Sequence, residues 1–214
     1  MSFFENYIEV PFEKRHQCWF CGEPAGNSFG FPHQGHLVLD CPHPSLTLPS
    51  CSECQQLALA VKADSIWQVS IEVKRALINK YQKDLAIGIN WTKQELAESQ
   101  FEGGNFAGFQ KSAWFMFEVA KGRVNHIGWP LVLNGIELEV AFEKEAFTFD
   151  GICYPSIDDA ISHYAKAYYL HAAFFKQVVS IMSKERFADA VRFCRLLVGA
   201  TPQERGAALK NLRT

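Results

Sequence analysis

Two short cysteine pairs constrain this chain more than anything else in it. "CWFCG" places Cys18 and Cys21 in one tight turn, and "CSEC" places Cys51 and Cys54 at the start of "CSECQQLALAV". A Cys-x-x-Cys turn offers two sulfurs from one loop, and four such thiolates satisfy the tetrahedral, soft-ligand preference of zinc. The pattern therefore predicts one structural zinc held by Cys18, Cys21, Cys51 and Cys54. Gly22 suits the tight turn after the first pair. The alternative, a redox dithiol, needs a strand before the motif and a helix after it. "CWFCG" runs instead into Pro24, Gly26 and Asn27, which are turn formers.

The residues between the pairs suggest how they are joined. "HLVLD" (36–40) and "SLTLPS" (45–50) alternate like two short strands, with "CPHP" as a turn. Good helix formers follow Cys54. A cysteine turn, a hairpin and a helix carrying the last two ligands make a treble-clef arrangement. The positive end of the helix would then face the metal.

"CWFCG…LDCPHP…LTLPSCSEC" resembles the zinc-bearing HNH nuclease family over about residues 16–63. The resemblance implies the zinc module and a strand ending in an Asp-His pair whose His is the general base. Asp40 matches the family's Asp. Cys41 stands at the His position, Thr47 near the Asn that the family carries at its second strand, and Gln55 where a further Asn usually follows the last Cys. His43 lies two residues beyond the family's His position. The leading expectation is thus a non-catalytic, zinc-stabilised binding or adaptor protein acting on nucleic acid or a protein partner. The alternative is a divergent HNH-type endonuclease using Asp40 and His43 with a divalent metal. A structural subunit of a larger assembly is a third reading. "GICYPSIDDA" (151–160) is also similar to DNA-binding modules appended to some HNH enzymes.

The remaining histidines and cysteines read more plainly. His33, His36 and His43 cluster near Cys41 and would be the ligands of any second metal; the simpler reading is polar turn residues. His126, His163 and His171 read as surface or capping residues, and Cys153 and Cys194 as small buried apolar ones.

The 214 residues are 48% hydrophobic, enough for a sizeable core. A net charge of −2 gives no whole-protein attraction to nucleic acid or membrane. Glu5, Glu9 and Glu13 interrupt the N-terminus, so no signal peptide is expected there. No apolar run is long enough to span a membrane. A cytoplasmic location, with reduced thiols, follows as the expectation.

Beyond residue 63 the periodicity predicts a mainly helical domain, residues 64–214, with a small antiparallel sheet at about 129–155. Ile66, Val69, Val73, Leu77, Tyr81 and Leu85 share one helical face, with Gly88 as the expected stop. Thr92 and Glu95 form a capping box before a second helix. Gly103, Gly104 and Gly108 make a loop without phosphate-loop spacing. Phe106, Phe109, Trp114, Phe115 and Phe117 are either core or a base-stacking platform. Asn134-Gly135 and Asp150-Gly151 turn two hairpins of one four-stranded meander. Glu137, Glu139, Glu143 and Glu145 alternate along a wet strand face. Ser156 and Thr201 cap later helices. From Lys184 to Thr214 seven Lys/Arg face three Asp/Glu, a net of +4. Arg192, Arg195, Arg205, Lys210 and Arg213 are the candidate phosphate contacts. The expected fold class is α+β: an N-terminal zinc module at 1–63, then the helical domain.

Overall fold

The computed structural model describes residues 6–33, 36, 38–99, 106–140 and 145–213; for 106–109 only the backbone is described. The architecture mixes helices with small antiparallel sheets, which is α+β.

The first sheet pairs β1 (Asn27–Phe31) with β2 (Leu46–Ser50), with Phe29 opposite Leu48 and Phe31 opposite Leu46. All four side chains are buried. The chain before the first cysteine pair lies along β2, where the Ile8 amide donates to the Thr47 carbonyl. The first strand therefore sits earlier than the sequence suggested. None of the described residues of 36–40 is in a strand. "HLVLD" alternates, but Leu39 is 84% exposed, so that face has no core to meet. "NSFGF" wins because its two phenylalanines point into the core beside Leu46 and Leu48.

Helix α1 (Ser52–Leu59) follows β2 directly. The expected long helix is two, α2 (Ile66–Lys80) and α3 (Gln82–Asn90), separated at Tyr81. Its predicted apolar face is real: Ile66, Val69, Val73, Leu77 and Leu85 are buried. Gly88 is not the stop. It lies inside α3, where a Cβ would fall 2.2 Å from the Phe117 ring, so its role is close helix approach. Helix α4 (Lys93–Glu98) carries the predicted capping box: the Glu95 amide donates to Thr92 Oγ1, and the Thr92 amide donates to Glu95 Oε2.

Gly103 and Gly104 lie outside the described residues. Helix α5 (Phe106–Asn125) crosses α3. Of its aromatics, Phe117 is core, Trp114 is half-buried and Phe115 is 65% exposed; the side chains of Phe106 and Phe109 are outside the description.

The two predicted hairpins form with left-handed turn residues at Asn134, Gly135, Asp150 and Gly151. They are β3 (Val132–Leu133) with β4 (Ile136–Glu137), and β5 (Phe147–Phe149) with β6 (Ile152–Tyr154). Among the described residues they do not join into one meander. The first hairpin is anchored elsewhere, with the Glu9 amide donating to the Val132 carbonyl. Glu137, Glu139 and Glu145 are exposed, as their alternation implied; Glu143 is outside the described residues.

Helices α6 (Ile157–Ala167), α7 (Ala172–Met182), α8 (Phe187–Arg195) and α9 (Pro202–Arg213) complete the chain. Ser156 caps α6 and His171 caps α7; Thr201 and Glu204 bond reciprocally at the start of α9. Buried apolar side chains from Ile8 to Cys194 form one connected cluster, which takes in the cysteine-bearing segment and the helices alike. Cys194 is buried and Cys153 half-buried. Among the described residues no helix is long and apolar enough to cross a membrane.

His163 is not the surface residue its sequence context suggested. It is 2% exposed, and its Nδ1 shares a hydrogen bond of 2.7 Å with the Tyr154 hydroxyl. Nε2 is buried without a hydrogen-bond partner among the described residues. Burial pushes its pKa down from the ordinary 6.5 to about 4. The unfolded chain therefore takes up a proton that the native state refuses. Stability is complete above about pH 6.5 and is lost as pH falls toward 4. By pH 5 the loss is about 2 kcal/mol. Urea unfolding at pH 7 and pH 5 checks this. The acid-induced loss should be smaller by that amount in His163→Gln, and equal losses in both proteins would refute it.

Candidate metal centre

The four cysteines predicted as ligands come together. Their sulfurs all lie within 4.8 Å of one another, and none is in a disulfide. Cys21 Sγ and Cys51 Sγ are 3.8 Å apart. A regular tetrahedron with metal–sulfur bonds of about 2.3 Å has edges of about 3.8 Å, so the cluster fits a metal ion such as zinc.

Local structure explains how each pair is held. In the first turn the Gly22 amide donates to the Cys18 carbonyl and the Cys18 amide to the Glu23 carbonyl. Gly22 has φ +74°, and a Cβ there would meet the His126 ring at 2.7 Å. Conformation and space both demand glycine. His126, expected at the surface, instead packs its ring over this turn. In the second pair, Cys51 is the N-cap of α1 and its sulfur accepts from the Cys54 amide at 3.4 Å. A helix N-terminus favours a thiolate at both positions.

A charged network surrounds the cluster, and the sequence did not reveal it. Arg123 on α5 is 8% exposed, and its Nη2 donates to Cys21 Sγ at 3.6 Å. The same guanidinium pairs with Glu53, bonds the Tyr81 hydroxyl and lies over the Tyr81 ring. Glu53, between Cys51 and Cys54, also accepts from Tyr81 at 3.0 Å and pairs with Lys80. Hydrogen bonds from Cys18 and Cys54, reinforced by Arg123, hold the Cys21 pKa well below the ordinary thiol range. Four thiolates around a divalent ion would carry a net charge of −2, and Arg123 is the buried cation placed to offset part of it. Glu53 was visible inside "CSEC", but Arg123 is 102 residues from Cys21. No local pattern joins them.

The three loop histidines are occupied by the fold. His36 Nε2 bonds the Ala63 carbonyl at 2.9 Å, and His33 Nε2 lies 3.4 Å from the Val61 carbonyl. His43 is buried, with Nδ1 donating to the Pro44 carbonyl and Nε2 accepting from the Ile66 amide, each at 2.9 Å. It thereby satisfies an orphan amide at the start of α2. Burial also lowers its pKa. Asp40 is exposed, and Cys41 Sγ donates to the His43 carbonyl. Among the described residues only the four cysteines form a metal-sized group.

The basic C-terminal residues lie on α8 and α9. Arg192 pairs with Asp189, Arg195 covers the Tyr168 ring, and Arg205 donates to the Ala200 carbonyl. Lys210 and Arg213 are exposed near the end of α9.

Fold and site together define an α+β protein with a buried four-cysteine centre. Comparison with family models, curated proteins and solved structures gave no match.

Proposed function

We propose that the chain is a non-catalytic binding or adaptor protein whose N-terminal segment, residues 1–63, is a treble-clef module closed by one structural zinc. Residues 64–214 then present the surface that binds nucleic acid or a protein partner. The observation that carries this reading is the approach of four sulfurs within 4.8 Å from two separate segments. The order of cysteine turn, hairpin and capped helix supports the treble clef. Four cysteines close the coordination sphere and leave no position for substrate, which fits a structural rather than a catalytic ion. A cytoplasmic location fits thiols that must stay reduced.

Elemental analysis of protein made in zinc-replete cells tests the proposal: one zinc per chain is expected. A well-folded, metal-free preparation would reject it.

The HNH-type alternative lacks a free base. His43 has both ring nitrogens engaged in the chain, and Cys41 holds the family's His position. Duplex and single-stranded DNA should therefore remain uncut with magnesium, manganese or zinc. Cleavage that disappears in His43→Ala, with metal content unchanged, would establish the nuclease instead.

A further inference from the structure

The apolar face of α2 continues into α3, yet the helix breaks at Tyr81, whose hydroxyl is turned to Glu53 and Arg123. The break starts a new helix of 9 residues with no side-chain cap, so its first amides, from Gln82 on, have no intrahelical acceptor. Beside it lies a cavity of about 30 Å³ between α2, α3 and α6. A single water needs about 10–15 Å³ of such space, so the cavity takes a group of a few heavy atoms. The exposed lining residues Asn79, Ser162 and Lys166 form its mouth.

The lining is rich in donors and poor in acceptors. Arg75 gives Nε to Asp159 and Nη1 to Glu72, which leaves Nη2. Lys166 Nζ gives one of its hydrogens to Asn79 Oδ1 and keeps two. The Ser162 hydroxyl and the Gln82 side-chain amide make no hydrogen bond among the described residues. Asp159 is the one carboxylate in the lining, and both its oxygens are taken, Oδ1 by Arg75 and Oδ2 by the Ser156 hydroxyl. His163 closes the inner wall. It is 2% exposed, and its Nδ1 bonds Tyr154, which lies outside the lining. Nε2 is therefore the nitrogen on the cavity side, and it is the one left without a partner.

We propose that this cavity binds a phosphate group. Its oxygens accept from Arg75 Nη2, Lys166 Nζ, the Ser162 hydroxyl and the first amides of α3, which is the arrangement a helix N-terminus and flanking cations offer to such an ion. An oxygen against the inner wall gives His163 Nε2 the acceptor that the fold withholds. A carboxylate fits less well, because its two oxygens cannot reach donors from three helices at once. The small volume leaves no room for a sugar or a base, so the ligand is inorganic phosphate or the terminal phosphate of a monoester whose remainder lies outside the mouth. This site goes beyond the binding-protein reading and does not depend on the metal.

Thermal unfolding of the full-length protein tests it, at about pH 7 and constant ionic strength, with inorganic phosphate, glycerol 3-phosphate or acetate added. The melting temperature should rise with phosphate along a saturating curve and stay unchanged with acetate. An equal or stronger effect of glycerol 3-phosphate identifies a monoester as the ligand, and an effect of inorganic phosphate alone identifies the free ion. In Lys166→Ala the half-saturating concentration should rise at least about tenfold, and in Ser162→Ala about threefold. Both side chains are exposed, so neither change disturbs folding, and circular dichroism checks this. The His163 ring resonances should move on phosphate addition in the wild type and stay in place in Lys166→Ala, a response that a general salt effect does not give. A melting temperature indifferent to both phosphates, an equal response to acetate, or a phosphate response that survives Lys166→Ala unchanged would overturn the proposal.

Discussion

Cys54→Ser should lose its bound metal and with it the ordered N-terminal segment. The four sulfurs come from a turn and from a helix start, and a metal would tie the two directly, in addition to the core packing of Trp19 and Phe20. Removing one ligand forfeits binding energy that is also folding energy, a loss on the order of several kcal/mol. Zinc content should fall from one per chain to well below it. Amide exchange should rise first in β1, β2 and α1. Cys153→Ser is the control, because Cys153 is half-buried and lies outside the cluster. Chelation of the wild-type protein should mimic Cys54→Ser and leave Cys54→Ser itself little changed. If Cys54→Ser keeps its metal and its melting temperature, the cluster is only a packing of thiols.

Arg123→Met should be the most damaging change in the charged network around the cysteines. It keeps an unbranched apolar stem but deletes the buried cation between Cys21, Glu53 and Tyr81. Glu53 retains Lys80 and Tyr81, so the cost belongs at the lower end for a broken buried pair, about 3 kcal/mol. The metal-loaded state should suffer more than the chelated one, because the cluster's negative charge is then left without its neighbour. A double-mutant cycle with Glu53→Gln isolates the pair. A loss below about 1 kcal/mol would place Arg123 with ordinary surface ion pairs.

The sequence by itself determined the features that depend on neighbours along the chain. The spacing of Cys18 with Cys21 and of Cys51 with Cys54 settled which sulfurs meet, because each pair lies within one turn. The Asn134-Gly135 and Asp150-Gly151 turns and the caps at Thr92, Ser156 and Thr201 were legible for the same reason. A side chain that bonds an amide three residues on needs no distant partner. The apolar face of α2 was legible because helical period alone selects it.

Tertiary structure decided whatever turns on which of several equivalent segments gains a partner. "HLVLD" and "NSFGF" both carry strand patterns, and only the second reaches the core, so β1 is at Asn27–Phe31. Gly88 reads as a helix stop until Phe117 arrives against it and makes it a contact point instead. His163 reads as an exposed helical residue until Tyr154 and α3 close around it. Arg123 has no motif at all. Its charge matters only because α5 is laid beside a cluster built 102 residues earlier, where the buried guanidinium donates to Cys21 Sγ and would offset part of the negative charge of a metal-loaded site.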